Sequence, residues 1–370
     1  MNAVVEQITM RGVVLTGHGG LDRLEYREDL PAPQPAKGEV LIEVGACAIN
    51  NTDLWTREGA YAVDGAGGWQ GAPLAFPRVQ GCDVAGRIVA VGEEVDEARV
   101  GQRVVVDPTL YGPRGDGLVD AGYLGSERDG GFAELVTVPE KNAHAVDSTL
   151  SDAELASFPC SYGTAQRMLN RARVITGETV LVTGATGGVG SALVQLANAI
   201  GARAIAVVGP GKEKTVRELE PAGVIPRDAP DLAAAVKEVL GDVPLDAVAD
   251  VVAGERVREL LEALRPEGRY VTAGAIAGPI VTVDWRTLYL KQLEIIGSSL
   301  ATRRDFSDML KLVLDGKVRP LVARTYPLSE LARAQREFQR KDFLGKLVVL
   351  IKPEAAEPPP PAEPEKPEKS

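Results

Sequence analysis

Cysteine is scarce in this chain. There are three in 370 residues, Cys47, Cys82 and Cys160, far apart and without disulfide spacing. That excludes a disulfide-stapled scaffold and suits a reducing compartment. No apolar run is long enough to cross a bilayer, and residues 1–10 lack the apolar core of a signal peptide. The expectation is a cytoplasmic protein with no membrane partner. Positive charge is also short: 41 Lys and Arg against 52 Asp and Glu leave a net charge of −11. This speaks against nucleic acid or an anionic surface as a partner. Internal repeats are missing as well. The length is enough for two domains with substantial cores.

The most informative stretch that is present runs Val180-Leu181-Val182-Thr183-Gly184-Ala185-Thr186-Gly187-Gly188-Val189-Gly190. A short apolar run leads into a glycine-rich turn. An amphipathic helix follows, with Leu193, Leu196, Ala197 and Ile200 spaced three and four residues apart. Such a turn lets the backbone approach a pyrophosphate, and the helix N-terminus offers free N–H groups and a positive dipole end. Ala185 stands where the fingerprint's first glycine is usual. The alternative, a tight turn with no ligand, is opposed by the context. Further apolar runs at 204–208, 245–252 and 269–273 continue the alternation of strand and helix. The expected ligand is a dinucleotide, held by Thr186, Gly187, Gly188, Val189 and Gly190, with Gly274 after the fourth run.

What is missing after the second strand selects the cofactor. An NAD site usually carries an acid there for the ribose hydroxyls. This chain reads Val208-Gly209-Pro210-Gly211-Lys212-Glu213-Lys214. An acid would repel a 2′-phosphate, whereas lysines attract one. Gly209, Lys212 and Lys214 therefore favour NADPH over NADH. The alternative is that both lysines begin an ordinary solvated helix.

Residues 11 to about 150 read as β-rich, with strand-like runs at 11–16, 39–46, 83–91, 103–107 and 134–138 between Gly and Pro turns. Two glycine-rich loops stand out: 62–76, which carries Trp69, and 111–131. Residues 152–169 read as one helix, 304–314 and 329–339 as two more, and 346–351 as a last strand. The final stretch, 353–370, is mainly Pro, Glu, Ala and Lys and is expected to be disordered.

Several segments together resemble the medium-chain dehydrogenase/reductase superfamily from about residue 11 to 351. They are GEVLIEV at 38–44, AINNTD at 48–53, GCDVAGRIVAVG at 81–92, GGFAE at 130–134, PCSYGTA at 159–165, the glycine turn, GRYVTAG at 268–274 and GKLVVL at 345–350. The resemblance implies an α/β fold. A GroES-like β-rich catalytic domain (1–150 and 301–352) would join a Rossmann coenzyme domain (151–300), a doubly wound parallel sheet. The active site would lie between them. It also implies a homodimer paired through residues 292–298.

The same resemblance frames the metal question. Zinc members supply a Cys, a His–Glu pair and a second Cys. Here those positions are Asn50, Cys82-Asp83 and Cys160, and neither His18 nor His144 matches a ligand. The loop 111–131 holds no cysteine, so the structural zinc of many relatives is not expected. Cys82, Asp83 and Cys160 with a water would make a tetrahedral zinc site; otherwise the cysteines are packing. The zinc-free quinone and enoyl reductase branches match better. In them the residue at Asn50 lies beside the nicotinamide ribose, and that at Thr164 contacts the carboxamide.

Reduction of a polarised C=C or C=O needs hydride at one end and a proton at the other. Tyr61, eight residues past Asp53, resembles the catalytic tyrosine of mitochondrial-type 2-enoyl thioester reductases. The alternative is a loop aromatic over the cleft. Thr52 matches the relay hydroxyl of zinc alcohol dehydrogenases, with a helix-start hydrogen bond as its other reading. Asp53 reads as structural, and Trp55 as a cleft or core residue. Three readings stay open: an NADPH-dependent, zinc-free reductase of an activated alkene or quinone; a zinc alcohol/aldehyde dehydrogenase on Cys82, Asp83 and Cys160; and an NADPH-binding protein without catalysis. Each takes a small molecule as its partner.

Overall fold

The computed structural model describes residues 8–61, 73–113, 115, 117, 118 and 120–352. Trp69, most of the loop 62–76 and the segment 353–370 lie outside the described residues. The N-terminal region supplies β1 (Thr9–Leu15), β2 (Leu24–Pro31), β3 (Glu39–Ala48), α1 (Asn51–Glu58), β4 (Arg78–Val79), β5 (Asp83–Val91) and β6 (Arg103–Val106). It continues with β7 (Thr109–Leu110), β8 (Gly122–Tyr123), β9 (Leu135–Pro139) and β10 (Ala143–Ala145). The chain then runs through α2 (Asp152–Ala156) and α3 (Pro159–Arg171).

The residues read as a single helix at 152–169 are in fact two. Ser151 caps α2 in a reciprocal box with Glu154. Pro159 has no N–H to give to that helix, so it opens a second helix at N1.

Next come β11 (Thr179–Val182), α4 (Gly188–Ala199), β12 (Arg203–Val208), α5 (Glu213–Val216), β13 (Gly223–Pro226) and α6 (Leu232–Leu240). Then follow β14 (Ala247–Asp250), α7 (Val257–Ala263), β15 (Arg269–Thr272), α8 (Trp285–Leu290) and β16 (Glu294–Gly297). The chain closes with α9 (Arg303–Leu314), β17 (Val322–Pro327), α10 (Leu331–Arg340) and β18 (Lys346–Leu350).

Two large sheets result. The catalytic sheet has order β10-β6-β5-β3-β18-β17, with β9 also on β3, so the last two strands return to the N-terminal region. The other sheet is parallel, in order β13-β12-β11-β14-β15-β16, and reverses direction of growth between β11 and β14. Its central strands are buried on both faces, which is why β11 reads as an unbroken Thr-Val-Leu-Val run. Ligands of such sheets bind at the carboxyl ends of the strands where the order reverses. Asp250 braces that point. Its buried carboxylate accepts from the Thr183 and Tyr270 hydroxyls and from the N–H groups of Val252 and Ala253. The helix α9 packs by Phe306, Met309 and Val313 into the core around α3.

Strand β2 escapes the sequence pattern. Its residues, Leu-Glu-Tyr-Arg-Glu-Asp-Leu-Pro, are mostly exposed, and it forms a sheet edge. An edge strand of this kind has no buried face to impose apolar alternation.

Candidate active site

The nucleotide edge is built from backbone. Helix α4 starts at Gly188 behind Gly187, whose extended backbone gives no side-chain cap. The first N–H groups of the helix are left for a ligand. The glycines are needed for space. A Cβ on Gly190 would lie 2.1 Å from the Gly184 carbonyl oxygen, and one on Gly188 would lie 2.5 Å from Ser161 Oγ. Gly274 follows β15, where a Cβ would meet the Val251 carbonyl at 2.8 Å. Thr164 lies half-buried one turn after Cys160 on α3, on the same face.

Cations surround this edge in an arrangement the sequence only half reveals. The Lys212 ammonium donates to the Lys341 carbonyl. Arg227, just past β13, stands at the end of β12: its guanidinium lies 3.8 Å from where a Gly209 Cβ would be. Arg227 is exposed and forms no ion pair or side-chain hydrogen bond among the described residues. Lys214 is exposed nearby in sequence. Lys341 donates to Asn51 Oδ1 at 2.8 Å and lies 3.4 Å from the Phe338 ring centroid. Burial, with Lys346 and Lys212 adding to it, lowers its pKa to about 7. Uncapped helix, close glycines and converging cations fit a dinucleotide.

The floor of the site is built from side chains. Asp83, fully buried at the start of β5, accepts at Oδ1 from the Cys160 N–H at 2.6 Å. At Oδ2 it accepts from Asn50 Nδ2 at 2.8 Å and from Lys346 Nζ at 2.9 Å. Lys346, at the first position of β18 and 2 % exposed, also donates to Asn50 Oδ1 and to Ser161 Oγ. Burial opposes its charge, yet Asp83 beside it holds its pKa above the ordinary lysine value. Asn50 is fixed twice more. Its N–H donates to Asp53 Oδ2 at 2.7 Å in a capping box that starts α1, and its amide N–H2 faces Cys82 Sγ at 3.4 Å. Asp53 thus holds the loop, as its position suggests. Burial raises its pKa to about 7.

Ligand atoms of Cys82, Asp83 and Cys160 all lie within 4.8 Å of one another. These atoms are nevertheless largely committed to other partners. A cation needs lone pairs, and fixed donors take both on Asp83 Oδ2 and one on Oδ1. Asn50 presents its N–H2 here because its oxygen serves Lys346. The surroundings are lined by hydrogen-bond donors.

Beside this floor stand Thr52 and Tyr61. Thr52 Oγ1 is buried and has no hydrogen-bond partner, so the helix-start bond considered for it does not form. The Tyr61 ring meets Trp55 edge-on at 5.7 Å. Burial raises the Tyr61 pKa well above the usual phenol, with Cys160 and Cys82 adding to the rise. The hydroxyl therefore keeps its proton at neutral pH. Sequence reasoning missed two residues of this site. Lys346 was readable as a lysine opening an otherwise apolar strand. Arg227 had no local signal, because it reaches the site only through the β12–β13 pairing.

A parallel sheet with a glycine turn at its reversal point, joined to a β-rich unit, is the frame of a dinucleotide-binding protein. Comparison with known proteins makes the assignment specific. Residues 36–148 match the family model described as alcohol dehydrogenase GroES-like domain, and 188–315 the one described as zinc-binding dehydrogenase. The chain is 34% identical to the acryloyl-coenzyme A reductase of Metallosphaera sedula, over 92% of this chain and 99% of that one. It is 30% identical to the quinone oxidoreductase of Mus musculus, over 93% and 99%. A solved putative alcohol dehydrogenase from Sinorhizobium meliloti 1021 superposes with a TM-score of 0.89 at 55% identity, over 92% of this chain and 96% of that one. The chain belongs to the medium-chain dehydrogenase/reductase superfamily and is an NAD(P)H-dependent oxidoreductase. No helix among the described residues is long and apolar enough to cross a membrane.

Proposed function

We propose that the protein is a zinc-free, NADPH-dependent reductase of a carbon–carbon double bond conjugated to a carbonyl, in the class of enoyl thioesters and quinones. The observation that carries this reading is the floor lined with donors where a zinc enzyme needs acceptors. Bound NADPH supplies the hydride. The chain's own groups bind, orient and protonate. The uncapped N-terminus of α4 with Thr186, Gly187, Gly188, Val189 and Gly190 takes the pyrophosphate, with Gly209 and Gly274 giving close approach. Arg227 and Lys214 take the 2′-phosphate, and Asn50 and Thr164 orient the nicotinamide end. The unpartnered Thr52 hydroxyl donates to the substrate carbonyl oxygen, where charge develops. Tyr61, held protonated by burial, gives the proton to the carbon that hydride does not reach. The name of the Metallosphaera relative, an acryloyl-coenzyme A reductase, supports the substrate class.

The competing zinc alcohol dehydrogenase reading is favoured by one observation, the proximity of Cys82, Asp83 and Cys160. The two divide on one experiment: NADPH oxidation with an enoyl-coenzyme A, a quinone and an aldehyde, alongside metal analysis of the same sample. Turnover of the first two by metal-free protein supports the reductase. Turnover of the aldehyde alone, with stoichiometric zinc, overturns it.

The division into 1–150 with 301–352 and 151–300 belongs to the same reading, as does a homodimer. Strand β16 is a sheet edge with Ile295 exposed, flanked by exposed Ile280, Trp285, Tyr289 and Leu290. Pairing of two such edges would bury that apolar surface. A monomeric mass by light scattering would overturn it.

A further inference from the structure

We propose that Lys346 is a built-in cation that stands in for a metal: its charge opposes divalent ions at the Cys82/Asp83/Cys160 cluster and, with Asp83, it fixes the orientation of the Asn50 amide. This deepens, and rests on, the zinc-free reading of the site.

The argument begins with topology. Lys346 opens β18, a strand laid between β3 and β17. Asn50 ends the segment after β3, Asp83 starts β5, and Ser161 lies in the first turn of α3. One ammonium joins all three, across sequence separations of 296, 263 and 185 residues. It therefore ties the catalytic sheet to the helix whose Ser161 lies against Gly188 of the nucleotide turn.

Next comes direction. An ammonium only donates, so the Asn50 atom it touches must be the oxygen. The Asn50 N–H2 is thereby turned toward Asp83 and Cys82. Asp83, which only accepts, selects the same orientation from the other side, so ammonium and carboxylate hold the amide together. The same ammonium neutralises Asp83 and uses one of its lone pairs. A divalent ion drawn to Asp83 would meet this ammonium, 2.9 Å from Oδ2 and 2 % exposed, with no solvent to screen the repulsion. Lys346 thus acts as a positioning residue. With Asp83 it sets which face of Asn50 the cofactor side meets, and it keeps the cysteines free of metal.

The test uses the full-length chain equilibrated with Co2+, whose thiolate charge-transfer and visible bands report cysteine ligation in a tetrahedral site. The wild type is expected to stay silent. Lys346→Met removes the opposing charge and frees a lone pair of Asp83, so it is expected to show the bands and to bind Co2+ at least about tenfold more tightly. Lys346→Gln keeps an amide donor and removes only the charge, which serves where the methionine variant does not fold. It is expected to show the same bands. Lys346→Arg, which restores the cation, is expected to return the protein to silence. Bands in the wild type would overturn the zinc-free reading together with this proposal. A silent wild type with both neutral variants also silent would leave that reading standing and overturn the role of Lys346.

Discussion

The two walls of the cleft solve the same problem, recognition of charge away from water, with opposite materials. The nucleotide edge presents backbone: an uncapped helix end and close glycines. The floor uses side chains, with Asp83 and Lys346 buried as a pair and every Asp83 oxygen occupied. A backbone cradle tolerates an empty state, because its N–H groups can be hydrated. A buried ion pair does not, because each charge depends on the other. The walls should therefore fail differently when altered.

The largest effect is expected from breaking the pair on one side. Lys346→Met leaves Asp83 buried without its counter-charge and should cost about 3–5 kcal/mol of unfolding free energy. Urea denaturation of the variant without added metal measures this. Removing both charges, Asp83→Asn with Lys346→Met, should recover much of the loss. A double variant as unstable as the single one would show that the pair is not what sustains the floor.

The second test asks whether chemistry belongs to the floor. Tyr61→Phe should lower kcat by roughly 10²–10⁴-fold, the usual span for a lost proton donor, with NADPH binding unchanged. Stopped-flow NADPH oxidation separates the two. An unchanged kcat would return Tyr61 to the role of a ring packed on Trp55.

The contrast also governs what the sequence reveals. The glycine turn is contiguous, so spacing alone discloses it: β11, the turn and α4 stand where the pattern puts them. The same holds for β3, β5 and β6, whose apolar runs face buried cores. The floor is assembled from residues hundreds of positions apart. Asn50, Asp83 and Cys160 are visible by resemblance, but the partner that decides their chemistry, Lys346, is not. Its spacing from Asn50 carries no periodicity. Thr52 shows the same limit. Its position at a helix start suggests a local bond, yet its hydroxyl is buried without one. The break before α3 is different in kind. Pro159 stated it locally, against a hydrophobic pattern that runs on through it.

A third prediction uses a buried cation site that lacks a counter-charge. His144 packs against the Phe306 ring at 4.9 Å, and its Nε2 is buried without a partner. Burial, then Arg303 and Arg99, lower its pKa to about 4 from 6.5. Because the folded-state value is depressed, its contribution to stability is fully present above the unfolded value of about 6.5. It is lost as pH falls through about 4. Allowing for partial exposure, the loss is about 2 kcal/mol. His144→Phe should flatten this part of the stability profile between pH 7 and 4. An equally steep profile in the variant would assign the acid sensitivity elsewhere.

The smallest effect tests the cradle at the one point where a side chain sets its selectivity. Lys212 and Arg227 both lie near the end of β12, and sequence position alone favours the lysine. Their side chains diverge: the Lys212 ammonium is engaged by the Lys341 carbonyl, whereas the Arg227 guanidinium stands over Gly209 with no ion pair among the described residues. An exposed guanidinium–phosphate contact is worth about one charge-assisted hydrogen bond after screening. Arg227→Glu should thus weaken NADPH binding by about tenfold, roughly 1.4 kcal/mol, and leave NADH binding nearly unchanged. Lys212→Glu should weaken both cofactors by similar factors, since it disturbs the Lys341 contact and no phosphate unique to NADPH. Calorimetric titration of each variant with each cofactor reads the four values. If Lys212→Glu alone shifts the NADPH to NADH ratio, the lysine leaves the Lys341 carbonyl for the 2′-phosphate on binding. The cradle would then depend on a side-chain movement, and the contrast with the prearranged floor would be sharper still.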